Sequence, residues 1–475
     1  MTESSSPPQQ APRKPRRGDE LEVAIEAFDE RGRGIGRAGG SRVRIRRALP
    51  GDRVRARVLK RRRDLVDAHL VEKIAQSAET VPATCPHFGS CGGCSLQDLG
   101  YSAQLDGLRQ LVEDEFRARG LLADATVEPV VPAADPWRYR NKMEFTFASR
   151  RWISPDEPPD APTGFALGLH AAGLHTKVVD IRTCAIQDPR ADAILATARE
   201  LALARGLAPW DLRRREGLLR HLVIRVARAT GEVMVILVTS ARADEEVGAF
   251  ARALVERHPG ITTFVQSVNT RPAATAQGEW ERVLFGPGVI REDVGGLRFA
   301  ISAGSFFQTN TAGAEVLMRI VREEAGLDGG EVVWDLYCGT GALALALARS
   351  AREVIGFELS PAAVADARRN AELNGIANAR FLEGDVASAT ASSSLAPPDV
   401  CVVDPPRAGL HPRLIARLLA LSPRRLVYVS CNPRTAAQDL ERVVPWGWRI
   451  RRIRPVDLFP HTPHVECVIG VERRG

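Results

Sequence analysis

Three groupings of reactive side chains stand out in this 475-residue chain. Near the C-terminus, Ser430-Cys-Asn-Pro433 sets Cys431 at the end of an apolar run, and His464-Val-Glu466-Cys467 brings a carboxylate to the start of another. A cysteine at a strand end is partly open to ligand, and its thiolate is a strong nucleophile once a positive neighbour lowers its pKa. The competing reading is a buried, inert thiol. A second grouping is the loop Asp335-Leu-Tyr-Cys-Gly-Thr-Gly341, followed by Glu358 and Asp385 at the ends of two further apolar runs. Glycines at a strand-to-helix turn let a ligand approach the backbone, and an acid after the next strand can take both hydroxyls of a ribose. The same spacing also fits a dinucleotide fingerprint, or acids that merely terminate strands. The third grouping is Cys85-x5-Cys91-x2-Cys94, three soft ligands within ten residues, with Cys184 a candidate fourth. Four thiolates suit zinc or an iron–sulfur cluster, and spacing does not choose between them.

Such groups act only if secondary structure aims them. From about residue 300 short apolar runs alternate with helical stretches: 331–337, 354–360, 399–406, 425–433 and 466–473 read as strands, and the segment after Gly341 as a helix. Ser360-Pro361 opens the next helix as N-cap and first-turn residue. This alternation predicts an α/β domain, a doubly wound Rossmann-like sheet over 301–475, with Asp404, Cys431 and the glycine loop at one edge. Residues 80–300 read as an α+β central domain with the cysteine cluster, a helix over 105–119, strands at 221–228 and 232–240, and a helix over 244–257. Within it Tyr139-Arg-Asn-Lys142 combines an aromatic, an amide and two bases, a set suited to stacking on single-stranded RNA and touching its phosphates, or to an ordinary surface strand.

Residues 1–17 read as a disordered tail and 18–76 as an OB-like β-barrel, with arginines alternating against apolar residues in Arg42-Val-Arg-Ile-Arg46 and Arg53-Val-Arg-Ala-Arg-Val58. The chain is +7 overall, but residues 1–75 hold 19 basic and 11 acidic side chains, so the whole excess sits there. Such a field attracts polyanions and implicates RNA as partner. The longest purely apolar run, Ala342 to Ala348, is too short to span a bilayer. The N-terminus has no apolar core of a secretion signal, so a cytoplasmic protein without a membrane partner is expected, its cysteines reduced. Nothing in the sequence indicates an obligatory protein partner.

The barrel resembles a TRAM domain. Asp404-Pro-Pro-Arg-Ala-Gly409, Tyr428-Val-Ser-Cys-Asn-Pro433, His464-x-Glu466-Cys467 and Ser305-Phe-Phe-Gln-Thr-Asn310 together resemble the RNA uracil-5-methyltransferase family, over nearly the whole chain. That resemblance implies an S-adenosylmethionine-dependent enzyme with Cys431 as nucleophile and Glu466 as general base. Gln308, Tyr337, Glu358, Asp385 and Asp404 would line the methyl-donor pocket. It also implies a 4Fe–4S cluster on Cys85, Cys91, Cys94 and Cys184, as in the ribosomal-RNA branch, with zinc as the alternative. One residue departs from the pattern: Ala342 stands where some ribosomal-RNA members carry Asn, which puts that branch's donor contacts in doubt here.

The chemistry accounts for the parts. Uracil C5 is a poor nucleophile; a thiolate added at C6 makes it one, and a base must then remove the C5 proton. Two other classes compete. A radical methylthiotransferase needs Cys-x3-Cys-x2-Cys, whereas the first spacing here is five. A non-catalytic RNA-binding protein on a methyltransferase fold is countered by the intact Cys431, Glu466 and donor loop. Ribosomal RNA is expected ahead of transfer RNA; no residue names the target uridine or the oligomeric state.

Overall fold

The computed structural model describes residues 14–154, 157–272, 275–389 and 395–474. The tail expected over 1–17 lies, up to residue 13, outside them. The chain divides into two compact units, one formed by Met1–Ala83, Ser95–Leu111 and His461–Pro463, the other by Thr84–Cys94, Val112–Pro460 and His464–Gly475.

In the first unit five strands close a barrel in the order Glu20–Phe28, Gly34–Ala38, Ser41–Ile45, Leu65–Ala75, Arg53–Arg62, the last pairing back onto the first. Strand alternation turns Val23, Ile25, Val43, Ile45, Val54, Ala56, Val58 and Val66 inward and the arginines outward. Closure is tight at Gly36, where a Cβ would lie 2.1 Å from the Ala24 carbonyl oxygen. Buried Asp52 ties the barrel to the chain that leaves it, accepting from the backbone N–H of Leu49 and Ser77 (2.8 Å each) and pairing with Lys73 at 2.8 Å.

The second unit holds two seven-stranded sheets. The central one is mixed, in the order Trp280–Phe285, Ile261–Val268, Val233–Thr239, Leu219–Val226, Lys142–Ala148, Ala166–Ala171, Leu174–Asp180. Helices Pro189–Ala204 and Asp244–Arg257 pack on one face of it over Phe145, Leu222, Ile224, Val235, Leu237 and Phe264. The C-terminal sheet runs Ala379–Glu383, Glu353–Glu358, Val332–Leu336, Val400–Val403, Arg425–Ser430, Glu466–Arg473, Trp448–Val456. Its first five strands are parallel; the edge strand Ala379–Glu383 buries only Phe381, and the other four are buried, which is why they read as continuous apolar runs. The last two are antiparallel, and the edge strand Trp448–Val456 was not foreseen. Its alternating arginines give it the pattern of a half-exposed surface strand. Helices Thr311–Ala325 and Ala342–Ala348 cover one face of the sheet over Val333, Val354, Val402 and Val427. Ser360 caps the helix Pro361–Leu373 as its sequence predicts, its Oγ accepting from the Ala363 N–H. No helix among the described residues is long and apolar enough to cross a membrane.

Candidate active site

Parallel strands deliver their C-terminal residues to one edge, and Asp335, Glu358, Asp385, Asp404 and Cys431 all lie at or just beyond strand ends there. Glu466 joins them from the opposite direction. Ser430 and Cys467 are register partners between the strands Arg425–Ser430 and Glu466–Arg473, so Cys431 and Glu466, one step outward on each, come together. A residue that ends one strand and one that begins its antiparallel neighbour necessarily meet at the same edge.

The site's electrostatics are dominated by buried acids. Burial pushes the Glu466 carboxyl well above its usual range, nearby Asp404 pushes it further, and the Arg407 guanidinium opposes both. Asp404 is raised by its own burial, and the two form a tightly coupled pair. The half-buried Cys431 thiol is pushed up to about 11, by desolvation first and by Glu466 next, with Arg407 working against the rise. Arg407 is held in place: its Nη2 lies 3.1 Å from His464 Nδ1, and its carbonyl oxygen accepts from Asn432 Nδ2 at 3.0 Å. His464 is lowered to about 4, chiefly by burial and then by Arg407 and Arg140, so it is neutral and presents a lone pair to Arg407.

The glycine loop lies beside this cluster. Gly339 and Gly341 have φ of 55° and 86°, and Tyr337 is left-handed too, at 68°. A Cβ on Gly341 would press within 3.2 Å of Phe381 and Ala367, whereas one on Gly339 would meet open space. Glu358 is fixed by two backbone donors, Gly339 N–H to Oε2 (3.1 Å) and Ser360 N–H to Oε1 (2.8 Å). Asp335 is fully buried with no counter-charge among the described residues; burial, then Asp404, raise it well above the carboxylate range, and the backbone N–H of Ala344 opposes the rise. A nucleoside carrying a positive charge matches this cradle: an open glycine for its backbone approach, an oriented acid, and a buried acid lacking a counter-charge. Asp385 is exposed and accepts from the Ser388 N–H (3.0 Å). The Tyr337 phenol is raised by burial, then by Asp385 and Asp439. Gln308 is half-buried, its main-chain carbonyl oxygen accepting from Asn141 Nδ2 at 3.0 Å.

Residue order alone does not announce the roles of Arg407, His464 and Asn141. Asn141 links Gln308 to Thr311 Oγ1 (2.9 Å), a bond across a long stretch of chain. The paired motifs Tyr139-Arg-Asn-Lys142 and Ser305–Asn310 are the signal for it, and only their juxtaposition shows the bond.

The four cysteines of the third grouping also converge. Cys85 and Cys184 bear on Cys91, which burial drives up to about 12, and Cys94 and Cys184 both bear on Tyr139. Backbone donors are aimed at them: Gly93 N–H lies 3.4 Å from Cys91 Sγ, and the N–H groups of Ile186 and Gln187 bear on Cys184. Donors of this kind favour thiolates, as in metal–sulfur sites. None of the eight cysteines is in a disulfide. Among the described residues no three His, Cys, Asp or Glu side chains form a ready metal-holding group.

Comparison with known proteins agrees with this layout. Residues 14–71 match the TRAM domain, 327–416 a methyltransferase domain, and 397–474 the family described as tRNA (uracil-5-)-methyltransferase. An uncharacterized RNA methyltransferase of Chlorobaculum tepidum is 38% identical over 469 residues, covering 96% of this chain and 97% of that protein. Another, of Porphyromonas gingivalis, is 40% identical over 439 residues, 90% of this chain and 94% of its own. The Pyrococcus abyssi tRNA (uracil-54, C5)-methyltransferase, solved with S-adenosyl-L-homocysteine, is 30% identical with a TM-score of 0.73, covering 95% of this chain and all of that one (100%). Barrel, methyltransferase sheet and strand-end cysteine thus occur together in a chain that full-length relatives share, and it belongs to the S-adenosylmethionine-dependent RNA uracil-5-methyltransferase family.

Proposed function

We propose that the chain methylates C5 of a uridine in ribosomal RNA through a transient covalent bond between Cys431 and uracil C6. The observation that carries this reading is the meeting of Cys431 and Glu466 at one sheet edge, with Arg407 and Asp404 beside them. Gln308, Tyr337, Glu358, Asp385 and Asp404 would hold the methyl donor, which when bound supplies an electrophilic methyl on a sulfonium.

Arg407 favours the Cys431 thiolate against burial and against the neighbouring acids. The thiolate adds to C6, the C5–C6 π electrons move toward the C4 carbonyl as an enolate, and C5 becomes nucleophilic. After C5 has taken its methyl, its proton must leave. One proton shared between Asp404 and Glu466 leaves a single negative charge on the pair; the pressure of Asp404 on Glu466 favours the proton on Glu466 at rest, and its passage to Asp404 makes Glu466 the carboxylate that accepts from C5. The returning electrons rebuild the C5–C6 double bond and expel the Cys431 thiolate. The target base must leave its stack to reach this edge.

Cys85, Cys91, Cys94 and Cys184 suit a 4Fe–4S cluster by donor chemistry, and backbone N–H groups are aimed at Cys91 and Cys184; such a cluster would draw together side chains that form no ready metal-holding group among the described residues and would brace the segment that carries them. The same cysteine set supports ribosomal RNA as substrate. Transfer RNA is the second reading, favoured by the likeness to the Pyrococcus abyssi tRNA (uracil-54, C5)-methyltransferase.

The test is transfer of labelled methyl from S-adenosylmethionine to total RNA from cells lacking the protein. Label in 5-methyluridine with the wild type and none with Cys431→Ala is expected, and mapping the labelled position decides between the RNAs. Label in another base, or undiminished label with the variant, would overturn the reading.

A further inference from the structure

Strand Lys142–Ala148 alternates. Met143, Phe145 and Phe147 turn into the core beneath the two central helices, while Lys142, Glu144 and Thr146 turn to the other face. Across the sheet Thr146 is opposite His221, Glu144 is opposite Val223, and Val223 is opposite Ile236. These residues, with His170, Glu281 and the turn Ala303–Phe306, line a cavity of about 500 Å³. That lies within the roughly 300–1,000 Å³ of small-molecule sites, ample for a nucleoside.

The lining points to one kind of occupant. Val223 and Ile236 make a buried apolar floor. Lys142 Nζ pairs with Glu144 Oε1 at 2.7 Å and the two charges cancel. Thr146 Oγ1 sits between two imidazoles, 3.2 Å from His221 Nδ1 and 3.5 Å from His170 Nε2. Burial lowers both histidines, His221 to about 4, so both are neutral. Burial also raises the Glu281 carboxyl. Beside it Arg225, fully buried on the same strand face as His221 and Val223, donates from Nη2 to the Ser305 carbonyl oxygen at 3.2 Å, so one cation stands behind a wall whose own charges cancel. This wall offers paired donors and acceptors above an apolar floor, the complement of a neutral heterocycle. Phe306, 68% exposed, stands at the rim as a stacking face.

The cavity also adjoins the reacting groups. Lys142 follows Asn141, which bonds Gln308, and Arg140, whose charge bears on the His464 that holds Arg407. Ser305 and Phe306 lie just ahead of Gln308 in the chain.

We infer that this cavity is a second base pocket, which takes an unpaired nucleobase of the RNA neighbouring the uridine that is methylated. The inference rests on the RNA-methylation reading and narrows it: the substrate is RNA that presents two unstacked bases, with Thr146, His170, His221 and Glu281 reading the edge of the second.

The test is a base-omission scan on a hairpin containing the mapped uridine. An abasic site is placed at each flanking position, and kcat and KM are measured for the wild type and for Thr146→Val/Glu281→Ala. One flanking position is expected to cost the wild type about tenfold to a hundredfold in kcat/KM. In the double variant that omission costs less than about threefold, because the groups that read the base are already absent. The variant itself shows a raised KM, with kcat, S-adenosylmethionine affinity and the thermal midpoint unchanged. Should the pair not fold, Glu281→Gln, which keeps the size and shape of the side chain, carries the same comparison. If the wild type methylates the intact hairpin but every omission costs both proteins alike, the pocket is refuted and the methylation reading stands. If no RNA is methylated at all, the underlying reading fails first and the pocket with it.

Discussion

Cys431 meets two opposing influences. Desolvation and Glu466 hold its thiol near 11, and Arg407 draws it down. Below that value the thiolate fraction rises tenfold for each pH unit. The kcat/KM for RNA is therefore expected to climb between about pH 7 and 9, until another step limits it. Arg407→Met removes the cation that favours the thiolate, so at any fixed pH in that range activity falls by about tenfold and the profile moves to higher pH. A flat profile, or one that Arg407→Met leaves in place, would contradict this. For Glu466→Gln a fall of about 10²–10⁴ in turnover is expected, with a protein–RNA adduct surviving denaturing electrophoresis, because the thiol cannot leave until C5 loses its proton. At this scale Cys431 and Glu466 were legible, since each sits in a short motif beside an apolar run. Arg407 was visible only as part of Asp-Pro-Pro-Arg. That it clasps His464 and faces the thiol depends on a bond between residues far apart in the chain.

The elements at the sheet edge carry strain where a ligand approaches. Gly341 has φ of 86° and its missing Cβ leaves room for Phe381 and Ala367. Gly341→Ala is expected to cost about 1–3 kcal/mol of stability, read from denaturant unfolding. Gly339→Ala adds a methyl in open space and incurs only the strain of its φ of 55°, about 1 kcal/mol, so its larger effect falls on S-adenosylmethionine affinity, read by calorimetry. Equal effects of the two on stability would contradict this division. In the cysteine loop, Cys91→Ser removes one of the three clustered thiols and is expected to abolish the brown colour of anaerobically purified protein. Retained colour and iron would show that these residues do not hold a cluster. The strand alternation and the Ser360-Pro361 cap were readable because they are local. The edge strand Trp448–Val456 was not, because a bulge between Ile450 and Arg452 sets two arginines in succession and breaks the apolar alternation.

Over the whole molecule the basic excess belongs to the barrel, but not all of it is available. Arg53 pairs with Glu22, Arg57 with Glu20, Arg55 with Glu72 and Arg44 with Asp67, so a ring of acids answers several of the arginines that the sequence counts as free charge. The turn Lys60-Arg-Arg-Arg63 is exposed at the end of its strand. Replacing those four by Ser is expected to weaken RNA binding and to flatten the slope of log affinity against log salt by about 0.7–0.9 for each phosphate that is no longer neutralised. Arg53→Ser/Arg57→Ser is expected to change it less. Filter binding over a salt series checks both, and an unchanged slope in the fourfold variant would place the RNA elsewhere.

By itself the sequence determined what is local in origin. Burial of parallel strands writes continuous apolar runs, barrel strands write alternation, and helix caps write Ser-Pro; the reactive residues fall at the ends of those runs. Hence the α/β sheet, the basic barrel and the candidates Cys431, Glu466 and Glu358 could all be read from residue order. Tertiary structure alone decided which of them share an environment. The antiparallel register of the strands Arg425–Ser430 and Glu466–Arg473 brings Cys431 to Glu466, and the packing of the acids makes Asp404 a partner of Glu466 as well as a neighbour of the donor loop. The same holds for the polar face of the central sheet. Alternation marks Lys142, Glu144 and Thr146 as outward residues, and only the pairing with His221 and the turn at Ala303–Phe306 encloses them. Periodicity records which way a side chain points, whereas charge coupling and enclosure depend on distances between elements that residue order does not encode.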